Sequence, residues 1–185
     1  MQAKTDKMKR YIILLRGVMP YGKNRVPMAQ LRDVLARAGY KNVRTYIQSG
    51  NAVADTQFTA KEVENDIHDL IKEHIGADIV VVVRTGSQLQ TVLDENPFKE
   101  GYDISRVFFL SFAETPSSQK VNEILDKDFG EEKLVITSKA AYMYIPGSSA
   151  RSQISNNMME KMLGVSSTTR NFNTMSKLIK MSSEQ

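Results

Sequence analysis

Gly17-Val18-Met19-Pro20-Tyr21-Gly22-Lys23-Asn24 matches G-x-x-x-x-G-K, the start of a phosphate-binding loop. Such a loop needs Ser or Thr next, because that hydroxyl ligates the magnesium ion. Asn24 stands there instead. The lysine should also open a helix, and the best helix start here, Pro27, comes later in the chain. A looser anion cradle remains, and a second short segment joins it. Gln48-Ser49-Gly50-Asn51 is a tight-turn signal between two strand-like runs. If the strands before Arg16 and before Gln48 run the same way, both loops fall at one sheet edge. Arg16, Lys23, Asn24, Gln48, Ser49 and Asn51 then offer two cations and several amide or hydroxyl donors to a small anionic or phosphate-bearing ligand. Arg170 and Asn171 form a further candidate, because they open the last helix and helix N-termini attract anions.

Other chemistries find no support. There is no cysteine, so no disulfide framework or thiolate site exists. His68 and His74 are spaced i, i+6, whereas a helical metal pair wants i, i+4. No catalytic constellation is recognised, and no pattern specifies a cofactor. Net charge is +4, with 25 basic and 21 acidic residues interspersed, which is a mild balance for a nucleic-acid binder. Tyr46, Tyr142 and Tyr144 on a sheet face would serve a nucleic-acid reading, but the glycine-aromatic strand signature of plait-type RNA-binding domains is missing. A protein-interaction or self-associating module is the third alternative. No apolar run is long enough for a signal peptide or membrane span, so a cytoplasmic protein is expected, with residues 1–8 a disordered lead.

The elements that would position these residues follow from periodicity. Tyr11–Leu15 is a continuous apolar run suited to a central strand. Leu31, Val34, Leu35 and Ala38 predict a helix opened by Pro27. Val43–Ile47 and Ala52–Ala54 predict a hairpin, and Thr59 with Glu62 a capping box. Val63, Ile67, Leu70 and Ile71 lie on one helical face, and Ile79–Val83 is a further strand. A short helix follows, with Leu89, Val92 and Leu93 inward, then a linker at Asn96–Gly101. The order recurs: strand Val107–Leu110, a helix opened at Thr115-Pro116, a hairpin about Ser138-Lys139, a helix marked by Ile154, Met158 and Met162, a weak strand Ser166–Arg170 and a last helix. The expected class is α+β. It comprises two tandem ferredoxin-like (βαββαβ, α-β plait) units, each with an extra C-terminal helix, over residues 1–98 and 99–185.

Several segments together resemble a known family. Leu14-Leu15-Arg16-Gly17, Gly22-Lys23-Asn24, Val26-Pro27-Met28 and Arg44–Asn51 are similar to the early signatures of the bacterial domain-of-unknown-function 1697 family. Asn96-Pro97-Phe98, Thr168-Thr169-Arg170-Asn171, Thr174 and Lys177-Leu178 resemble its later ones. The loop at Val18–Tyr21 and Phe172 depart from the usual pattern. The resemblance implies tandem ferredoxin-like units and transfers no reaction.

Overall fold

A computed structural model describes residues 7–184; of the expected disordered lead, residues 1–6 lie outside that range. The fold is mixed α+β, with two four-stranded antiparallel sheets and, among the described residues, six α-helices. Packing divides the chain into two compact units. One runs up to Gly86 and takes back the chain from Leu178, and the other is Ser87–Lys177.

In the first unit the order is β1 (Lys9–Leu15), α1 (Met28–Arg37), β2 (Lys41–Tyr46), β3 (Asn51–Thr56), α2 (Ala60–His74) and β4 (Val81–Arg84). The sheet order is β2-β3-β1-β4. β1 reads as an unbroken apolar run because both of its faces are covered: Ile12, Ile13, Leu14 and Leu15 are all 0% exposed. One face joins Leu31, Leu35, Ile67 and Ile71 in a single core. The capping box forms as expected: the Thr59 hydroxyl accepts from Glu62 N–H, and the Glu62 carboxylate accepts from Thr59 N–H at 2.7 Å. Pro27 differs slightly from expectation. It is the N-cap of α1 rather than its first residue, with extended ψ of 125°. β4 also starts later than its β-branched run suggests, at Val81.

The second unit holds α3 (Gly86–Asp94, whose first residue closes the first unit), β5 (Val107–Phe112), α4 (Ser118–Leu125), β6 (Lys133–Ile136), β7 (Ala141–Tyr144), α5 (Asn156–Leu163), β8 (Ser167–Asn171) and the start of α6 (Phe172–Ser183). Its sheet order, β6-β7-β5-β8, repeats that of the first. Ser117, not Thr115-Pro116, opens α4, since its hydroxyl accepts from Lys120 N–H. On α5 the buried residues are Met159 and Leu163, one position on from the expected Met158 and Met162, which are half-buried. The stretch expected to be a linker is packed. Asn96 forms a side-chain turn to Phe98, and the Phe98 ring lies 5.1 Å from that of Tyr102 and 6.0 Å from that of Tyr144. An Asx turn plus a buried aromatic explains why Asn-Pro-Phe folds onto this unit.

Tyr142 on β7 is 0% exposed, and its hydroxyl has no hydrogen-bond partner among the described residues. Burial pushes its pKa up to about 12. An unmet buried hydroxyl costs about 1–3 kcal/mol, so Tyr142→Phe should be neutral or stabilising, by about 1 kcal/mol. Urea unfolding measures this, and a loss of stability beyond that size would show that the hydroxyl has an acceptor.

Candidate functional site

The candidate residues of the first unit gather where β1 ends. β3 is antiparallel to both β1 and β2, so β1 and β2 run the same way, and the β2–β3 turn meets the exit of β1. Leu14 pairs with Asn51, and Leu15 N–H donates to Gly50 O at 2.8 Å. The contact is tight: a Cβ on Gly50 would lie 2.7 Å from both Leu15 Cβ and Val18 Cγ2. The 16–24 loop and the 48–51 turn therefore share one edge of the first sheet.

The loop is closed on itself. Met19 N–H donates to Asn24 O at 2.9 Å and Arg25 N–H to Gly22 O at 3.2 Å, with Gly17 and Gly22 at positive φ. Val26 and Met28 are buried and anchor its far end. Lys23, Arg25, Tyr21 and Met19 are exposed, as are Ile47, Gln48 and Ser49 on the turn; Arg16 is half-buried at the loop's root. Lys23 lies outside α1, which begins at Met28, and the sheet is antiparallel. The nucleotide-hydrolysing loop is thus absent in geometry as well as in sequence.

Two of the asparagines have structural work. Asn51 is 0% exposed, and its amide donates to Tyr46 O at 3.2 Å and Ser49 Oγ at 3.1 Å, holding the turn. Asn24 Nδ2 reaches Gly17 O at 3.4 Å, across the neck of the loop. Arg25, a second exposed cation in the same loop, lies beyond the G-x-x-x-x-G-K template, which stops at Lys23.

Arg170 and Asn171 belong to the second unit, where β8 passes into α6. Asn171 Oδ1 accepts from Thr174 N–H at 2.9 Å, which caps the helix start. Arg170 donates to Thr168 Oγ1 at 2.6 Å and Thr169 O at 2.8 Å. Burial pushes its guanidinium down to about 10, and it stays charged at neutral pH. Elsewhere, His68 lies between Asp69 and Asp78, whose hydrogen bonds, that to Asp78 foremost, raise its pKa, and His74 is exposed. No group of three potential metal ligands occurs among the described residues. Tyr144 packs against Tyr102 with ring centroids 4.8 Å apart, and Tyr46 is half-buried. No helix among the described residues is long and apolar enough to cross a membrane.

No curated protein matches the chain. Among solved structures, a conserved bacterial protein from Streptococcus pneumoniae is similar in fold, with a TM-score of 0.74 at 22% identity, covering 95% of this chain and 99% of that one. Residues 8–142 match the family described as protein of unknown function (DUF1697), and the chain belongs to that family.

Proposed function

We propose that each unit is a ferredoxin-like plait and that the first binds a small anionic or phosphate-bearing ligand at the edge formed by the 16–25 loop and the 47–51 turn. The strand order β2-β3-β1-β4, with α1 and α2 packed on one core, supports the plait. One observation carries the ligand reading. Exposed Lys23 and Arg25 sit on a loop folded directly against a turn that presents Gln48 and Ser49. Cations beside amide and hydroxyl donors suit carboxylate or phosphate oxygens, and Arg25 adds a planar fork for two of them. A chain without cysteine fits a reducing cytoplasm.

Calorimetric titration with inorganic phosphate, nucleoside monophosphates and sugar phosphates at low salt tests this. At least one should bind, and Lys23→Ala/Arg25→Ala should weaken it at least tenfold, since each lost charge-assisted hydrogen bond is worth about 1.5–3 kcal/mol. Binding should also fall with added salt. No heat with any of these anions, or affinity unchanged in the double variant, sinks the proposal.

A further inference from the structure

The four sheet edges are finished in different ways. On β4 the outward N–H of Val83 donates to Glu64 Oε1 at 3.0 Å, and its C=O accepts from Arg84 Nη1 at 2.7 Å. On β8 the N–H of Ser167 donates to Glu160 Oε1 at 2.7 Å, and its C=O accepts from Asn156 Nδ2 at 3.1 Å. β2 is broken by a register shift between Lys41 and Arg44, with Asn42 in the left-handed region at φ 51°. Side-chain plugs, bulges and charges are the usual protections of an edge against pairing with another chain. β6 has none of the plugs and no register shift, and its one charge, Lys133, stands at its first position. Its register with β7 is unbroken from Lys133↔Tyr144 to Ile136↔Ala141, and among the described residues no group other than β7 hydrogen-bonds to it.

Which groups are free follows from the turn. Thr137 N–H donates to Ala140 O at 2.9 Å, so those two residues form a hydrogen-bonded pair. Antiparallel pairs alternate, so Val135 directs its N–H and C=O toward Tyr142, and Leu134 and Ile136 direct theirs outward. A second copy in antiparallel register centred on Val135 would set each Leu134 against the other copy's Ile136, all four groups meeting partners. Glu131 lies in the turn before β6 and Lys139 in the turn after it, both exposed, so the two-fold arrangement brings the acidic end of each edge toward the basic end of the other. Acid at the start and base at the end make this segment complementary to itself when reversed. Lys139 already pairs with Glu95 and would lie between two acids.

We infer that β6 is a self-association edge, through which two copies of this chain join their second-unit sheets about a two-fold axis. This does not rest on the anion-binding reading. Four central backbone bonds on a short strand make a weak dimer, at the small end of specific interfaces. Sedimentation equilibrium up to about 1 mM protein should show monomer and dimer in exchange. Ile136→Pro removes an N–H that faces away from β7, which an edge strand tolerates, and should weaken the dimer at least tenfold. Glu131→Lys should weaken it several-fold, and Glu131→Lys/Lys139→Glu should restore it. Monomer at every concentration, a dimer indifferent to Ile136→Pro, or no rescue by the charge swap would overturn the inference. So would a β6 edge that pairs with an unrelated extended peptide and not with a second copy.

Discussion

Gly50→Ala should lower the unfolding free energy by about 3 kcal/mol, more than an ordinary glycine replacement in a turn. Two costs add. Gly50 has φ of 84°, a region where a Cβ costs roughly 1–2 kcal/mol. The new Cβ would also stand 2.7 Å from Leu15 Cβ and from Val18 Cγ2. Val18 can turn away, but Leu15 Cβ is fixed to β1, so the turn itself must lift, at an overpacking cost of roughly 1–3 kcal/mol. Gly22→Ala is the matched control. Its φ is 77°, but nothing lies within 4 Å of its added Cβ, so only the backbone cost of about 1 kcal/mol applies. Urea midpoints at constant m-value separate the two. Equal losses in the two variants would show that the close approach of turn and strand carries no energy. Lifting the turn should also weaken anion binding in Gly50→Ala, whereas a loss of stability with intact affinity would place the ligand away from this edge.

The juxtaposition of loop and turn was legible in the sequence because strand order alone decides it. Once two runs are read as the first and second strands of a βαββαβ unit, their ends share an edge whatever the side chains do. The fate of Asn51 was not legible. An asparagine in a turn can donate to a ligand or to its own backbone, and the sequence does not show the 3.2 Å approach of its amide to Tyr46 O. Strand limits failed for a related reason. Lys9 and Arg10 belong to β1 although they are polar, because Arg10 has a carboxylate to meet on β3. β8, Ser-Thr-Thr-Arg-Asn, reads weakly as a strand because an edge strand whose outer groups are met by Asn156 and Glu160 needs little apolar sequence.

The correspondence between the two units goes deeper than element order. Glu64 on α2 and Glu160 on α5 each accept an outward N–H of the neighbouring edge strand. Arg84 and Arg170, at corresponding places in the two units, each donate to the carbonyl of the residue before them. Thr168-Thr169-Arg170 therefore carries a structural duty of its own at the end of β8. The remaining edges differ: the first unit's β2 has a register shift and carries Lys41 and Arg44, whereas the second unit's β6 is in regular register and is apolar after Lys133.

Asp55→Ala should cost about 3 kcal/mol at neutral pH, the usual loss when one partner of a largely buried ion pair is removed. Asp55 is 8% exposed and accepts from Arg10 Nε at 2.5 Å, Arg10 Nη2 at 2.7 Å and Asn42 Nδ2 at 2.7 Å. Without it, the Arg10 guanidinium and the Asn42 amide lose the carboxylate that they share. The effect extends to the chain's last turn of helix: Arg10 also donates to Glu184 O, and Arg44 to Met181 O and to the Glu184 carboxylate at 2.9 Å. Cations at helix carbonyls favour the negative end of the dipole, so loosening Arg10 loosens the C-terminal end of α6, which belongs to the first unit. The pH dependence has a definite sign. The Arg10 hydrogen bonds hold the Asp55 carboxyl below its ordinary value of 3.8. A depressed carboxylate stabilises fully above its unfolded pKa, and the contribution disappears as pH falls through the folded one. The stability gap between wild type and Asp55→Ala should thus be flat from pH 7 to about pH 5 and shrink below about pH 4. Asp55→Asn keeps the shape and loses the charge, so it should lose most of the same gap. Urea unfolding across that range decides the matter, and a gap that persists undiminished to about pH 2 would assign Asp55 to packing rather than to charge.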